Sequence, residues 1–357
     1  MKYRYYYLLL LTTILSHFIL YAPYQLNRNL FSGSFTAIFI ALIICCINAY
    51  MTIYVYNTYK SSNILAINKN LMGKYLGGLF SLFTIIINLV VSFFMFRGLL
   101  EIVMKFMLPS TPIWFLSITL LFLPYINLLN DNKSFLNFIA FISIFTIFWS
   151  ILYILISIKS VHMYYIKTAV IHSFKLPNLT TIAAAGFFFS GVSHLSLFNP
   201  EFKKISWKKT CLIYIFAGLP IALLAIYIPV GTLGPYMLQK VQLTAVTTAD
   251  TISVDLFFIE RALYIMLPLF FLLSASDFIV FGYVSWSLIK KAIKNKKLSF
   301  FTVNILGAGY TIISYLIKDT ETMLRLGSLC ITLALLYHLF YTTLVFILTK
   351  LKEGINR

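Results

Sequence analysis

Residues 7–26 read YLLLLTTILSHFILYAPYQL. The stretch is apolar, and it has the roughly 20 residues that one helix needs to cross hydrocarbon. It is also flawed near its centre. Ser16 and His17 interrupt the apolar run, and Pro23 follows soon after. A second interrupted stretch, Ser190-Gly191-Val192-Ser193-His194, lies roughly half a chain further on. Each opens a block of five apolar segments. Paired interruptions at matching positions of two halves point to a midplane site between inverted repeats. Broken helices free backbone N–H and C=O groups. Half-helix N-termini then suit a carboxylate, and freed carbonyls suit an ammonium or sodium ion, so an amino acid is a natural ligand. The same small residues would equally serve close helix packing in a membrane.

The rest of the chain agrees with a membrane setting. Of 357 residues, 61% are hydrophobic and only 11% charged, against about 25% charged in soluble domains. The apolar runs are unbroken rather than alternating, which excludes an outer-membrane barrel. Backbone groups in lipid must then be satisfied inside helices. Spans are expected at 7–26, 33–57, 77–107, 111–129, 135–158, 179–199, 210–231, 256–289, 300–317 and 327–349. The expected fold is an all-α integral membrane protein of about ten transmembrane helices. It forms one transmembrane domain over 1–357, with repeat one about 7–158 and repeat two about 179–349.

The net charge of +18 is read as orientation, not as nucleic-acid binding. With the N-terminus inside, the inner segments hold 18 of the 28 basic residues. That places both termini in the cytoplasm, although Lys159, Lys167 and Lys175 run against the rule. The four cysteines, Cys45, Cys46, Cys211 and Cys330, lie in or beside apolar runs with no metal-ligand spacing. Met1-Lys2-Tyr3-Arg4 and its apolar run imitate a signal peptide but lack a small-residue cleavage site, so the segment reads as a retained first helix. No cofactor motif, phosphate loop or catalytic constellation is present, and the expectation is not an enzyme.

Ser16-His17-Phe18-Ile19-Leu20-Tyr21-Ala22-Pro23 resembles the broken first helix of the amino acid–polyamine–organocation (APC) transporter superfamily. That helix carries G-x-G-I with Pro four residues after the Ile. Ile19 and Pro23 match, while Ser16 and Phe18 replace the glycines. Phe187-Phe188-Phe189-Ser190-Gly191-Val192 looks like that superfamily's aromatic-rich sixth helix. Three further segments, Leu108-Pro109-Ser110-Thr111-Pro112, Leu197-Phe198-Asn199-Pro200 and Phe257-Phe258-Ile259-Glu260-Arg261-Ala262-Leu263, resemble the B subunit of spore germinant receptors over essentially the whole chain. The resemblance implies a 5+5 inverted repeat with broken helices 1 and 6. It also implies a small-molecule germinant, an amino acid or nucleoside, and A-type and lipoprotein C-type partner subunits. The implied location is the spore inner membrane or the bacterial cell membrane. An APC-type secondary amino-acid transporter is the alternative.

Candidate site residues follow from the breaks and from ionisable groups inside spans, which are costly there and mark function. Ser16, Phe18 and Ile19 line the first break. Phe189, Ser190, Gly191 and Val192 line the second. Arg97 and Glu101 are four apart in the third span and so share a face, with Phe93 one turn further in. They read either as a ligand lining or as an ion pair that orients the helix. In the eighth span Asp277 needs a partner. The resemblance implies pocket roles for Ser276, Ile279 and Tyr283. Glu260 and Arg261 read as a gate or subunit contact, as Asp277 also does, or as a simple helix cap. His17 and His194 sit in the two breaks without a third ligand at metal spacing, and no metal site is expected. The expected fifth span has no charged residue, unlike some proton-coupled relatives, which fits a receptor.

Overall fold

Pro23 dictates where the first span breaks. Proline has no N–H to donate to the carbonyl of Ile19 and its ring crowds that turn, so a continuous helix through residue 19 is unfavourable. In the computed structural model, which describes residues 3–256, 259–293 and 295–355, the stretch folds as α1 (Arg4–Ser16) and α2 (Tyr21–Arg28). The two axes differ by 47°. Pro23 then sits in the first turn of α2, where no intrahelical bond is lost.

The chain continues as α3 (Ser34–Thr58) and α4 (Ile64–Ile102), which ends in a π turn at Val103–Met107. Next come α5 (Ile113–Asn127), α6 (Asn132–Ile158) and α7 (Met163–Ser173). The second broken span is α8 (Leu179–Phe187), a 3-10 turn at Ser190–His194, α9 (Leu195–Phe198) and a 3-10 turn at Asn199–Glu201. Its bend is 64°. Then α10 (Trp207–Ile213) passes through a π turn, Tyr214–Gly218, into α11 (Leu219–Leu233). The short helices α12 (Pro235–Leu238) and α13 (Thr244–Thr251) lead to an antiparallel pair, β1 (Ser253–Leu256) and β2 (Ile259–Arg261). The last three helices are α14 (Ala262–Ala292), α15 (Lys296–Leu316) and α16 (Thr320–Ile355).

Among the described residues, seven helices are long and apolar enough to cross a membrane, or nine if each bent pair is one span. The apolar α5, at 15 residues, is shorter. The chain is thus an α-helical integral membrane protein. Helix starts are set by side-chain caps: Asn63 accepts from Ala66 N, Asp131 from Ser134 N and Asn178 from Thr181 N, each satisfying an orphan donor of the first turn.

Three expectations need correction. Residues 60–76 were expected as an inner loop, yet helix begins at Ile64 and reverses at Gly73, whose φ of +76° admits glycine at no steric cost. The incoming turn packs so tightly that a Cβ on Gly77 would lie 2.4 Å from the Asn68 carbonyl oxygen. The connections 159–178 and 232–255, left between the expected spans, carry the short helices α7, α12 and α13. The eighth span starts at Ala262, not 256, so Ile259-Glu260-Arg261 lies on a strand, with Arg261 at the N-cap position of α14 and no side-chain cap hydrogen bond. Phe257 and Phe258 lie outside the described residues. Finally, the tenth span runs from Thr320 to Ile355, longer than 327–349, because Glu321 can sit in its first turn, where the helix dipole favours a carboxylate.

Helix α14 is the most buried of the long helices. It packs on α4, α6, α5 and α1, while α16 packs on α4, α8 and α3. The large apolar side chains left exposed, such as Ile43 and Ile47 on α3 and Ile144, Phe148 and Leu155 on α6, face where lipid would be. One end of the bundle is tied by polar contacts between α1, α3, α10 and α16. Tyr6 meets Thr210, Asn57 bonds Ile205 O at 2.8 Å, and Tyr54 donates to Glu353 at 2.6 Å. The start of α1 and the end of α16 therefore lie at this face.

Candidate functional site

The first break meets a buried carboxylate and stacks on the end of α8. Asp277, 3% exposed on α14, accepts from the Ser16 hydroxyl at 2.6 Å. His17 Nε2 lies 3.3 Å from the same oxygen, off the line needed for a hydrogen bond. The His17 ring stacks on Phe187 at 3.8 Å between centroids, so the first break touches the end of α8. Phe281, one turn beyond Asp277, lies 6.3 Å from His17 and 4.8 Å from His194. A carboxylate buried in protein must be paired or hydrogen-bonded. Here Ser16, the last residue of α1, supplies the hydrogen bond, and His17 lies beside it. Asp277, which the sequence analysis placed with the gate residues, is thus the contact that pins the first break to the core. Ser274, one turn away, has a buried hydroxyl without a partner.

Beside this seam lies a cavity of about 50 Å³, counted as the room open to the centre of a water molecule. That is space for about three or four waters. Its walls are Asn48 and Thr52 of α3, the second break, Phe187, Phe281 and the inward face of α16. Five of its lining side chains, Asn48, Thr52, Ser190, Ser193 and Ser196, carry a buried oxygen with no protein partner. Buried polar oxygens are normally satisfied, so this lining calls for water or a polar ligand. Of the expected site residues, Phe189, Ser190 and Val192 line it. Asn48 and Thr52 were not among the expected site residues. They carry a usable signal, being two polar residues four apart in an apolar span.

Gly191 does not face this cavity. A Cβ there would come within 2.8 Å of Leu10 Cδ1 and 3.3 Å of Thr13 Cβ, so its role is close approach of the second break to α1. Phe18 packs edge-on to Tyr153 at 5.5 Å, and Ile19 is buried. Ile279 is buried on α14, and Ser276 donates back to Leu272 O at 2.6 Å.

The other expected residues lie apart from the breaks. Tyr283 stacks with Phe135 at 3.8 Å and with Phe198 at 5.9 Å. Its hydroxyl donates to Asn132 Oδ1 at 3.0 Å, and Asn132 donates to Glu201 at 3.0 Å. These contacts join the starts of α6, the end of the second broken span and α14. Phe93 packs against Phe94 and Tyr310.

Arg97 and Glu101 belong to a third region, at the face opposite the chain ends. Arg97 Nη1 donates to Glu101 at 2.6 Å and Nη2 to Ile317 O at 3.0 Å. Glu101 also pairs with Lys105 at 2.9 Å and accepts from Thr320. These residues border a cleft of about 560 Å³, closed in part by Gln242 and by the turn between α15 and α16. Beside it, Glu321 is held by Arg28 of α2, by Arg325 at 2.9 Å and by Tyr24 at 3.1 Å. That network ties α2, the second half of the first broken span, to α16. Arg261 pairs with Asp250 at 2.8 Å, joining β2 to α13, and Glu260 is exposed.

A family model described as spore germination protein matches residues 5–322, nearly the whole chain. No curated protein matches it.

Proposed function

Because this chain belongs to the family of spore germination proteins, we propose that it is the nutrient-sensing B-type subunit of a germinant receptor. It sits in the spore inner membrane with both termini cytoplasmic, as ten spans in an APC-type 5+5 inverted repeat. It works with an A-type and a lipoprotein C-type subunit. The observation that supports this reading best is the joint at Asp277, where Ser16, His17 and, through Phe187, the second broken span converge. A ligand that prefers one arrangement of these breaks shifts the population toward it. Partner subunits then read the shift. The germinant is a small molecule, an amino acid with an apolar side chain in first place, since the breaks are surrounded by Phe18, Ile19, Phe187, Phe189 and Val192.

The deciding experiment deletes this chain and follows dye release from spores across amino acids and nucleosides. Loss of the response to one nutrient, restored by the wild-type gene, is the expected result. Unchanged germination to every nutrient, in a strain with no second receptor, would sink the receptor reading. The polar cavity on the side of the chain ends would then favour a secondary amino-acid transporter, tested by radiolabelled uptake.

Glu101→Ala is expected to raise the germinant concentration for half-maximal dye release by about tenfold. It strips the buried Arg97 of its ion-pair partner and unties Lys105 and Thr320 from α4. Removing one member of a buried pair costs about 3–5 kcal/mol, so less protein should also accumulate, and immunoblots of spore membranes correct for this. A dose–response curve equal to the parent's, at equal protein level, would make the helix-orienting role of Glu101 sufficient.

A further inference from the structure

We infer that the cleft at the outer ends of α4 and α16 is a carboxylate-binding site, the first station of an acidic or zwitterionic germinant on its way to the breaks. This deepens, and rests on, the receptor reading above. Three carboxylates and three cations border the cleft: Glu101, Asp319 and Glu321 against Arg97, Lys105 and Lys318. The formal charges balance, and the groups differ in how far each is already engaged. Glu101 is taken by Arg97, Lys105 and Thr320. Glu321 is taken by Arg28, Arg325 and Tyr24. Asp319 accepts from Thr322 N at 2.7 Å at the start of α16, and the Thr322 side chain and backbone hold its pKa below the usual carboxylate value.

The cations are less fully used. Arg97 is 1% exposed, and its buried Nε has no acceptor. Lys318 makes no ion pair or hydrogen bond among the described residues. Among the described residues, the Arg97 Nε–H and the Lys318 ammonium thus border the cleft as cationic donors without an acceptor. A buried guanidinium N–H without an acceptor is costly, and an incoming carboxylate would supply one. The volume of about 560 Å³ lies in the range of small-molecule sites, about 300–1,000 Å³. Met104, Ile113 and Tyr315 add an apolar wall for a side chain. A neutral nucleoside brings acceptors but no charge to pair with these cations, so the cleft favours a carboxylate.

The test uses the full chain in proteoliposomes, with an amine-reactive label and mass spectrometry reading modification at Lys318. The probes are the standard L-amino acids and succinate, with L-leucinamide, inosine and sodium chloride of equal ionic strength as controls. The expected result is that at least one carboxylate protects Lys318 several-fold while no control does. In spores, Lys318→Gln should shift the dose–response to that compound by about tenfold, the scale of one charge-assisted hydrogen bond, and Lys318→Arg should restore it. Absence of protection by every carboxylate, equal protection by L-leucinamide or inosine, or an unshifted Lys318→Gln curve would each overturn the inference. The receptor reading fails separately, through spores lacking the chain that germinate normally.

Discussion

Spores carrying Asp277→Ala lose their germinant response, while the chain still reaches the membrane at a reduced level. The substitution removes the acceptor of the Ser16 hydroxyl and the partner of His17 in one step. Both groups are buried at 3% exposure, and neither gains access to water. Leaving a buried polar group without its hydrogen-bond partner costs about 1–3 kcal/mol, a noticeable share of the 5–15 kcal/mol that holds a typical protein folded. The loss falls on the joint between α1, α2 and α14, so the arrangement of the first break is what changes. Asp277→Asn keeps an oxygen for Ser16 and gives up only the charge, and it should retain part of the response. Dye release and immunoblots of the three strains decide the matter. If Asp277→Ala spores germinate like the parent at equal protein level, the joint does not carry the signal. If Asp277→Asn is as severe as Asp277→Ala, charge rather than hydrogen bonding is what the joint needs.

Gly191→Trp is expected to abolish the response as well, for a steric reason. Even a Cβ at this position meets Leu10 Cδ1 at 2.8 Å, with the Leu10 backbone 3.6 Å away. A single added methyl can be accommodated by a rotation of the Leu10 side chain, and overpacking of that kind costs about 1–3 kcal/mol. An indole cannot be accommodated so cheaply, and it wedges α1 away from the second break. Gly191→Ala should therefore give a modest rightward shift that Leu10→Ala relieves, and Gly191→Trp a complete loss. Membrane localisation of the Trp variant, checked by fractionation, separates a wedged contact between α1 and the second break from a failed insertion. A normal response from correctly inserted Gly191→Trp would rule out a working role for close contact between the breaks.

How far the sequence reaches differs from element to element. The breaks at Ser16-His17 and at Ser190–His194 were legible because proline, small polar residues and histidines stand out in apolar runs. Their structural bends of 47° and 64° match that reading. The pair Arg97 and Glu101 was equally legible, since spacing of four on a helix makes neighbours; the contact is 2.6 Å. Their placement was not legible. Spacing along one helix says nothing of which helix faces it, so the turn at Ile317–Thr320, which turns this pair into a cleft, could not be anticipated. Nor could the separation of Tyr283 from the breaks. Its ring is committed to Phe135 and Phe198, residues from two other spans.

By itself, the sequence determined the membrane-helical class, the approximate spans and the two points where helices must break. Those properties follow from apolar length and from backbone hydrogen bonding, which are local and need no partner. The tertiary structure alone decided that Asp277 takes Ser16 and His17, that Gly191 is a contact with Leu10, and that Asn48, Thr52 and Ser196 share a cavity with the second break. Each of these joins residues far apart in the chain. In a bundle of similar apolar helices such pairings depend on how side chains interlock and on where buried polar groups find one another, and neither is encoded in any single span.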